Sequence, residues 1–170
     1  MTGDEGETAE AGEAATLESP LGPIRVAAEG GAIVRLSWPV RLSWPSADPP
    51  LIPPSPLLRA AAEQISAYFA GRLRAFDLPL APRGGAFERN VWEQMQAIPF
   101  GETRTYGAIA ADLGSAAQPV GRACGANPIP ILIPCHRVLA ADGLGGFSAS
   151  GGVEDKVRLL RLEGAAGLLI

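Results

Sequence analysis

The sequence predicts an α+β protein, in which a small N-terminal β-sheet/helix domain precedes a mainly helical, winged helix-turn-helix-like C-terminal domain. Three observations carry this expectation. Short strand-like runs broken by glycine fill the first part of the chain, capped helix-period patterns fill the second, and Pro82-Arg83-Gly84-Gly85 separates them. A chain of 170 residues, 47% hydrophobic and 19% charged, can bury a core and is not disordered over most of its length. No apolar run is long enough to cross a membrane, and Met1-Thr2-Gly3-Asp4-Glu5 lacks the basic start of a secretory signal. Two Cys cannot form a disulfide framework, which favours a reducing, cytoplasmic setting. With a single His beside them, a structural zinc site is not expected, and neither a metal nor a cofactor is called for.

Taken in order, the chain opens with an acidic stretch. Asp4, Glu5, Glu7, Glu10, Glu13 and Glu18 stand among small residues with no base, so a solvated, disordered tail is expected over residues 1–15. The whole chain carries −4, but over residues 19–170 the 12 remaining acids face 14 bases, leaving +2. The overall acidity therefore does not by itself exclude a nucleic-acid partner. The N-terminal domain is expected over residues 16–82. Pro23–Glu29 leads through Gly30-Gly31 into Ala32–Trp38, a strand, turn and strand. Val34-Arg35-Leu36-Ser37-Trp38-Pro39 is then repeated at once as Val40-Arg41-Leu42-Ser43-Trp44-Pro45. The period is even, so either copy could fill the strand with the same residues inward, whereas Pro39 would interrupt a strand using both. A Pro-rich linker follows, and Ser55-Pro56 starts a helix whose apolar face is predicted as Leu57, Ala61, Ile65 and Phe69. Phe76–Leu80 reads as a short extended piece.

The C-terminal domain, residues 83–170, opens with a helix over residues 86–97, with Phe87, Val91, Trp92 and Met95 on its apolar face. Thr105 is a plausible N-cap for a short helix closed by Gly114, and Ser115-Ala116 turns the chain into a second helix ending at Gly125. Helix, tight turn, helix is the pattern of many DNA readers, and also of many pairs that bind none. Ile129–Ile133 is apolar but interrupted by Pro130, hence buried without being a central strand. The glycine-rich stretch 141–152 reads as a loop or wing, and a last helix over residues 153–162 places Val153, Val157 and Leu160 on one face.

Pro134-Cys135-His136-Arg137 sets the only His beside one of the two Cys. A thiolate is a minor species for an ordinary thiol at neutral pH, and a nearby His oriented by a carboxylate, or the Arg137 charge, would favour it. In a strand the two side chains would diverge, so direct contact needs a turn or a bridging water.

The stretch Asn127-Pro128-Ile129-Pro130-Ile131-Leu132-Ile133-Pro134-Cys135-His136-Arg137-Val138 resembles the active-site signature of the O6-alkylguanine-DNA alkyltransferases, also called methylated-DNA–protein-cysteine methyltransferases. Val91-Trp92, Ile98–Tyr106, Val120-Gly121, Gly151-Gly152, Lys156, Leu159-Leu160 and Glu163-Gly164 extend the resemblance from about residue 87 to residue 164, with a looser match before it. The resemblance implies single-turnover DNA repair: the lesion base leaves the duplex, and an alkyl group passes irreversibly from O6 of guanine, or O4 of thymine, to Cys135. It further implies a relay of His136, a water and Glu163, a hinge at Asn127, and assistance to flipping and leaving-group protonation from Tyr106. Gln118, Gly121 and Arg122 would lie on the DNA-facing helix, while main-chain groups near Val138, Phe147 and Ser148 would hold the base. Arg104, Arg122 and Arg137 are the bases available for local DNA affinity. Double-stranded DNA containing O6-alkylguanine is the implied partner, and a monomer is expected. Two departures stand out. Gln118 occupies a position where the family commonly has Arg, and the loop at 145–152 is about two residues longer, with Phe147 in place of a frequent Tyr. The alternative is a lesion sensor that binds without transferring; such relatives lack the Cys.

Overall fold

The computed structural model describes residues 12–38, 55–147 and 151–165. Three strands, β1 (Glu13–Leu17), β2 (Ile24–Glu29) and β3 (Ala32–Ser37), form an antiparallel sheet in the order β1-β2-β3. The polypeptide is thus already strand at Glu13, and the expected tail over residues 1–15 is shortened at its end. The reason is pairing: Glu13 lies opposite Ala28 and its carboxylate accepts from Ser55 Oγ, which ties the acidic residue to the sheet. In β2, Ile24, Val26 and Ala28 alternate inward as period two requires. In β3 a bulge at Val34 breaks the alternation, because Ile33 opposes Ala28 while Arg35 opposes Ala27, so Ile33 and Leu36 both reach the core.

The first copy of the repeated hexamer fills β3, and Ile33 explains why. Ile33 is fully buried, donates its N–H to Pro79 O at 2.8 Å and accepts from Ala81 N at 2.8 Å. If the second copy took the strand, Pro39 would stand in place of Ile33, with no N–H to give and a smaller side chain in the core. The two copies are therefore not equivalent, despite the even period. The second copy itself lies outside the described residues, as do residues 1–11 of the tail.

Helix α1 (Pro56–Phe69) packs on the sheet. Ser55 caps it, accepting from Leu58 N at 3.2 Å. Its buried stripe is Leu58, Ala61, Ile65 and Tyr68, so the expected face of Leu57, Ala61, Ile65 and Phe69 is rotated by one residue at each end. The spacing i, i+3, i+7, i+10 keeps closer to a helical line than a strict four-residue repeat does.

Beyond Gly85, α2 (Ala86–Gln96) buries Val91, Trp92 and Met95. Phe87 is 37% exposed, contrary to expectation, because it lies in the first turn, ahead of the buried stripe. The short strand β4 (Arg104–Thr105) runs into α3 (Tyr106–Leu113), capped by Thr105 and closed by Gly114 in the left-handed conformation. After a two-residue link, α4 (Ala117–Gly125) packs on α3 and α2. Trp92 Nε1 donates to Ala123 O at 2.8 Å and fastens α2 to α4. Strand β5 (Val138–Leu139) pairs in parallel with β4. Helix α5 (Gly152–Leu162) buries Asp155, Lys156, Leu159 and Leu160; of the expected Val153, Val157, Leu160 face, Leu160 is buried, Val157 is half-buried and Val153 is 44% exposed, so the buried stripe is rotated towards Lys156. Lys156 accounts for the rotation, as its ammonium bonds inward. No helix among the described residues is long and apolar enough to cross a membrane.

Candidate active site

The segment from Asn127 to Val138 is held from inside. Asn127, at the end of α4, is buried; its Nδ2 donates to Ile133 O at 2.8 Å and its Oδ1 accepts from Ile129 N at 3.0 Å. One amide therefore clasps both limbs of the loop between them. Ile133 N donates to Ile129 O at 2.9 Å, and Ile131 sits at φ 72°, an uncommon and strained position for a β-branched residue. Burial of Ile129, Ile131 and Ile133 offsets that strain. Pro134 then leads into a 3₁₀ turn over Cys135–Arg137. The turn replaces the strand in which neighbouring side chains would diverge.

Behind the turn lies a buried charge network. His136 is fully buried and its Nε2 donates to Glu163 Oε1 at 2.7 Å. Arg137 grips the same carboxylate with Nε to Oε2 at 2.9 Å and Nη2 to Oε1 at 2.8 Å, while its Nη1 donates to Ile98 O at 2.7 Å. Tyr68, from α1, adds its hydroxyl to Oε1 at 2.8 Å. Burial alone would raise Glu163, but hydrogen bonds from His136 and Arg137, with their charges, bring it down to about 2. Burial lowers His136 despite the adjacent Glu163, so the ring is neutral at physiological pH. A carboxylate only accepts, so the neutral ring carries its proton on Nε2 and leaves Nδ1 as an acceptor. That Nδ1 is buried and has no hydrogen-bond partner among the described residues.

In front of the turn is a cavity of about 410 Å³ lined by Tyr106, Gly121, Cys124, Gly125, Cys135, Gly146 and Phe147. Cys135 is 7% exposed; burial pushes its thiol up, and the Asn127 amide and the Lys156 charge pull it back. Lys156 is itself fully buried, with Nζ donating to Val138 O at 2.7 Å and Gly146 O at 3.1 Å. Burial brings its pKa down to about 8, against the opposing pull of Cys135 and Cys124. The loop passes so close to Tyr106 that a Cβ on Gly145, which sits at φ 71°, would fall 2.8 Å from the Tyr106 hydroxyl. Burial raises Tyr106, keeping its phenol protonated. From the other domain, Trp38 meets Phe147 edge to face at 6.3 Å between ring centroids. A larger cleft of about 870 Å³ runs between Glu29, Leu80–Gly84 and α2, but no cysteine or histidine lines it. Chemistry rather than size marks the site.

The expected residues divide into groups. Cys135, His136, Glu163, Asn127 and Val138 come together, with Tyr106, Gly121 and Phe147 around the cavity. Gln118 and Arg122 are exposed one turn apart on α4, and Ser148 lies outside the described residues. Arg137 differs from expectation. Instead of offering its charge to DNA or to the thiol, it is buried against Glu163. Arg104 is likewise engaged, by Gln94, Ala108 O and Asp112. Tyr68 and the inward role of Lys156 escaped sequence reasoning. A tyrosine on the inward line of α1 is the available signal, since a buried hydroxyl needs a partner.

Residues 86–165 match the DNA-binding domain of 6-O-methylguanine DNA methyltransferase, and residues 14–82 match its ribonuclease-like domain. A methylated-DNA–protein-cysteine methyltransferase of Methanosarcina acetivorans is 40% identical over 154 residues, covering 89% of this chain and 97% of the relative. The chain belongs to the 6-O-methylguanine DNA methyltransferase family. A Mycobacterium bovis methylated-DNA–protein-cysteine methyltransferase is 41% identical over 157 residues, covering 87% of this chain and 90% of its own. The solved structure of Mycobacterium tuberculosis OGT in complex with DNA superposes with a TM-score of 0.78 at 40% identity, covering 89% of this chain and 92% of that one. Membership makes this chain a DNA-repair methyltransferase by class, with a cysteine as the accepting group, and DNA is its partner.

Proposed function

We propose that this methyltransferase reverses O6-alkylguanine damage by moving the alkyl group to Cys135, once per molecule, acting as a monomer on double-stranded DNA in the cytoplasm. Cys135 at the floor of a cavity, with the buried His136–Glu163 pair behind it, is the observation that carries this reading. The lesion base must leave the stack for its alkyl carbon to reach the thiol. The cavity would receive it, with Tyr106 and Phe147 as walls and the main chain near Val138 and Gly146 as hydrogen-bonding edge.

The thiol proton passes through a bridging water to His136 Nδ1, and the imidazolium so formed is held by Glu163. The sulfur electron pair attacks the alkyl carbon, an S–C bond forms, and the C–O6 bond breaks with its electron pair on the guanine. Tyr106 gives that guanine a proton and is reprotonated from the relay, so the thiol's proton ends on the released base. O4-alkylthymine presents the same alkyl–oxygen bond and is a second substrate. The thioether is stable, so each molecule reacts once. On α4, exposed Gln118 enters the gap left by the base, and Arg122, one turn along, contacts phosphate. A non-transferring sensor would have no use for a buried thiol backed by this relay.

The test is intact-mass analysis after incubation with a duplex containing O6-methylguanine. One CH₂ is gained per protein molecule, on the peptide bearing Cys135. Folded protein that gains none, or gains it elsewhere, overturns the reading.

A further inference from the structure

We infer that Tyr68, a residue of the N-terminal domain, is a positioning residue for alkyl transfer: its hydroxyl holds Glu163 and sets how strongly that carboxylate supports the His136 imidazole. The inference rests on Cys135, His136 and Glu163 acting as proposed above. Tyr68 is fully buried and donates to Glu163 Oε1 at 2.8 Å, the same oxygen that accepts from His136 Nε2 and from Arg137. Three donors on one oxygen share its charge, so each weakens the hold on the others.

The surroundings of Tyr68 leave its hydroxyl no other role. Its ring is packed by Phe69, Phe76 and Phe100, with centroids at 5.3, 5.3 and 6.2 Å. Burial, and then the adjacent Glu163, push the phenol far above its ordinary range, so it donates at every pH of interest. The charged and titratable groups that bear on His136 are Glu163, Arg137 and Lys156, with Cys135 as its neighbour in the turn. Arg137 and Lys156 both oppose protonation of the ring, and Glu163 favours it. On the far side of Phe100, Arg74 stacks at 5.5 Å and faces outward. Tyr68 is thus the neutral donor in the set. It trims the charge that Glu163 shows to the imidazole, and fixes where that charge sits.

The sign follows. Without the hydroxyl, Oε1 holds the Nε2 proton more tightly and stabilises the imidazolium, so His136 protonates at a higher pH. A protonated His136 cannot take the thiol proton, and the acid limb of the alkylation rate moves up with it. The chain contains a single His, so its imidazole resonances are unambiguous.

The experiment compares wild type with Tyr68→Phe, using single-turnover alkyl uptake from an O6-methylguanine duplex across pH, together with the His136 Nε2 proton resonance at neutral pH. Tyr68→Phe should still gain one CH₂ at the end point. Its plateau rate should fall about two- to tenfold, the effect of one lost hydrogen bond. Its acid limb should shift upward by about half to one pH unit, and its Nε2 proton should move downfield. Lower stability with both the limb and the resonance unmoved would mean a purely structural tyrosine and would overturn the inference. If Tyr68→Phe does not fold, 3-fluorotyrosine placed at position 68 alone serves instead. As a stronger donor it should move limb and resonance in the opposite directions, and no movement again overturns the inference. Should wild type gain no alkyl group, the proposed function fails, yet the imidazole resonance still decides the coupling by itself.

Discussion

The two ends of the cavity each present a buried cysteine, and they differ in what stands behind the sulfur. At the α4 end, Cys124 is buried in a helix and its Sγ lies 3.5 Å from Met95 Sδ, an apolar and polarizable neighbour. Burial, with Cys135 adding to it, pushes its thiol up to about 12. At the turn end, Cys135 is as deeply buried, but the Asn127 amide and the Lys156 ammonium face it and the His136–Glu163 pair backs it. Access to the cavity is common to both. The Lys156 charge bears on both sulfurs, so what separates an acceptor from a packing residue here is a place for the proton to go and the Asn127 amide facing the sulfur.

The sharpest way to break that contrast is to exchange the sulfurs' roles. Cys135→Ser should abolish alkyl uptake altogether, while Cys124→Ser should still gain one CH₂ per molecule in the same mass measurement; uptake on Cys124 in the first variant would sink the distinction. Next in size is Glu163→Gln, which leaves Arg137 and His136 buried without their counter-charge. Urea unfolding should show a loss of about 3–5 kcal/mol, and alkylation should slow far more than Tyr68→Phe slows it. Lys156→Met removes the buried ammonium and leaves the Val138 and Gly146 carbonyls unpartnered. Single-turnover rates should fall about ten- to a hundredfold, the equivalent of one charge-assisted hydrogen bond.

The contrast also has a pH signature. Glu163 falls from the ordinary 4.5 to about 2 on folding, so the unfolded chain binds more protons between those values. The stability Glu163 contributes is therefore complete above pH 4.5 and drains away as pH falls towards 2, and Glu163→Gln should flatten that part of an acid-unfolding curve. The smallest effect belongs to the passive end. Cys124→Ala, which deletes one buried sulfur, should cost about 1 kcal/mol, read as a shift in the urea midpoint.

The cysteine end of the site was legible in the sequence because its parts are local. Asn127, Cys135 and His136 lie within one short stretch, and prolines around them announce a turn. Capped helices such as that from Tyr106 to Leu113 were legible for the same reason, since Thr105 and Gly114 mark their limits within the helix itself. The far end of the relay, Glu163, was legible only through the family resemblance, and its partner Tyr68 not at all. Tyr68 and Glu163 are 95 positions apart, and nothing in either neighbourhood specifies the other. Arg137 could not be assigned either, because whether an arginine faces DNA or a buried carboxylate depends on where the last helix docks. Helix phase was uncertain wherever apolar residues sit on two adjoining lines, as at Leu57-Leu58 and Tyr68-Phe69. There the choice is made by the partner surface.

The inequality between Ile33 and Pro39 makes the tandem hexamer a reversible insertion. Cutting out either copy yields one and the same polypeptide, in which Ile33 still precedes Val-Arg-Leu-Ser-Trp-Pro and the strand keeps its bulge, its pairing and its Trp against Phe147. The extra hexamer falls after the last paired residue, in the connection to the next helix. Lengthening that connection from twelve to eighteen residues adds only about 0.4 kcal/mol of closure entropy. With one copy or two, β3 presents the same residues to the core, so chain length is unconstrained by the fold at this point, whereas around Cys135 every residue from Asn127 to Val138 is fixed by burial or hydrogen bonds.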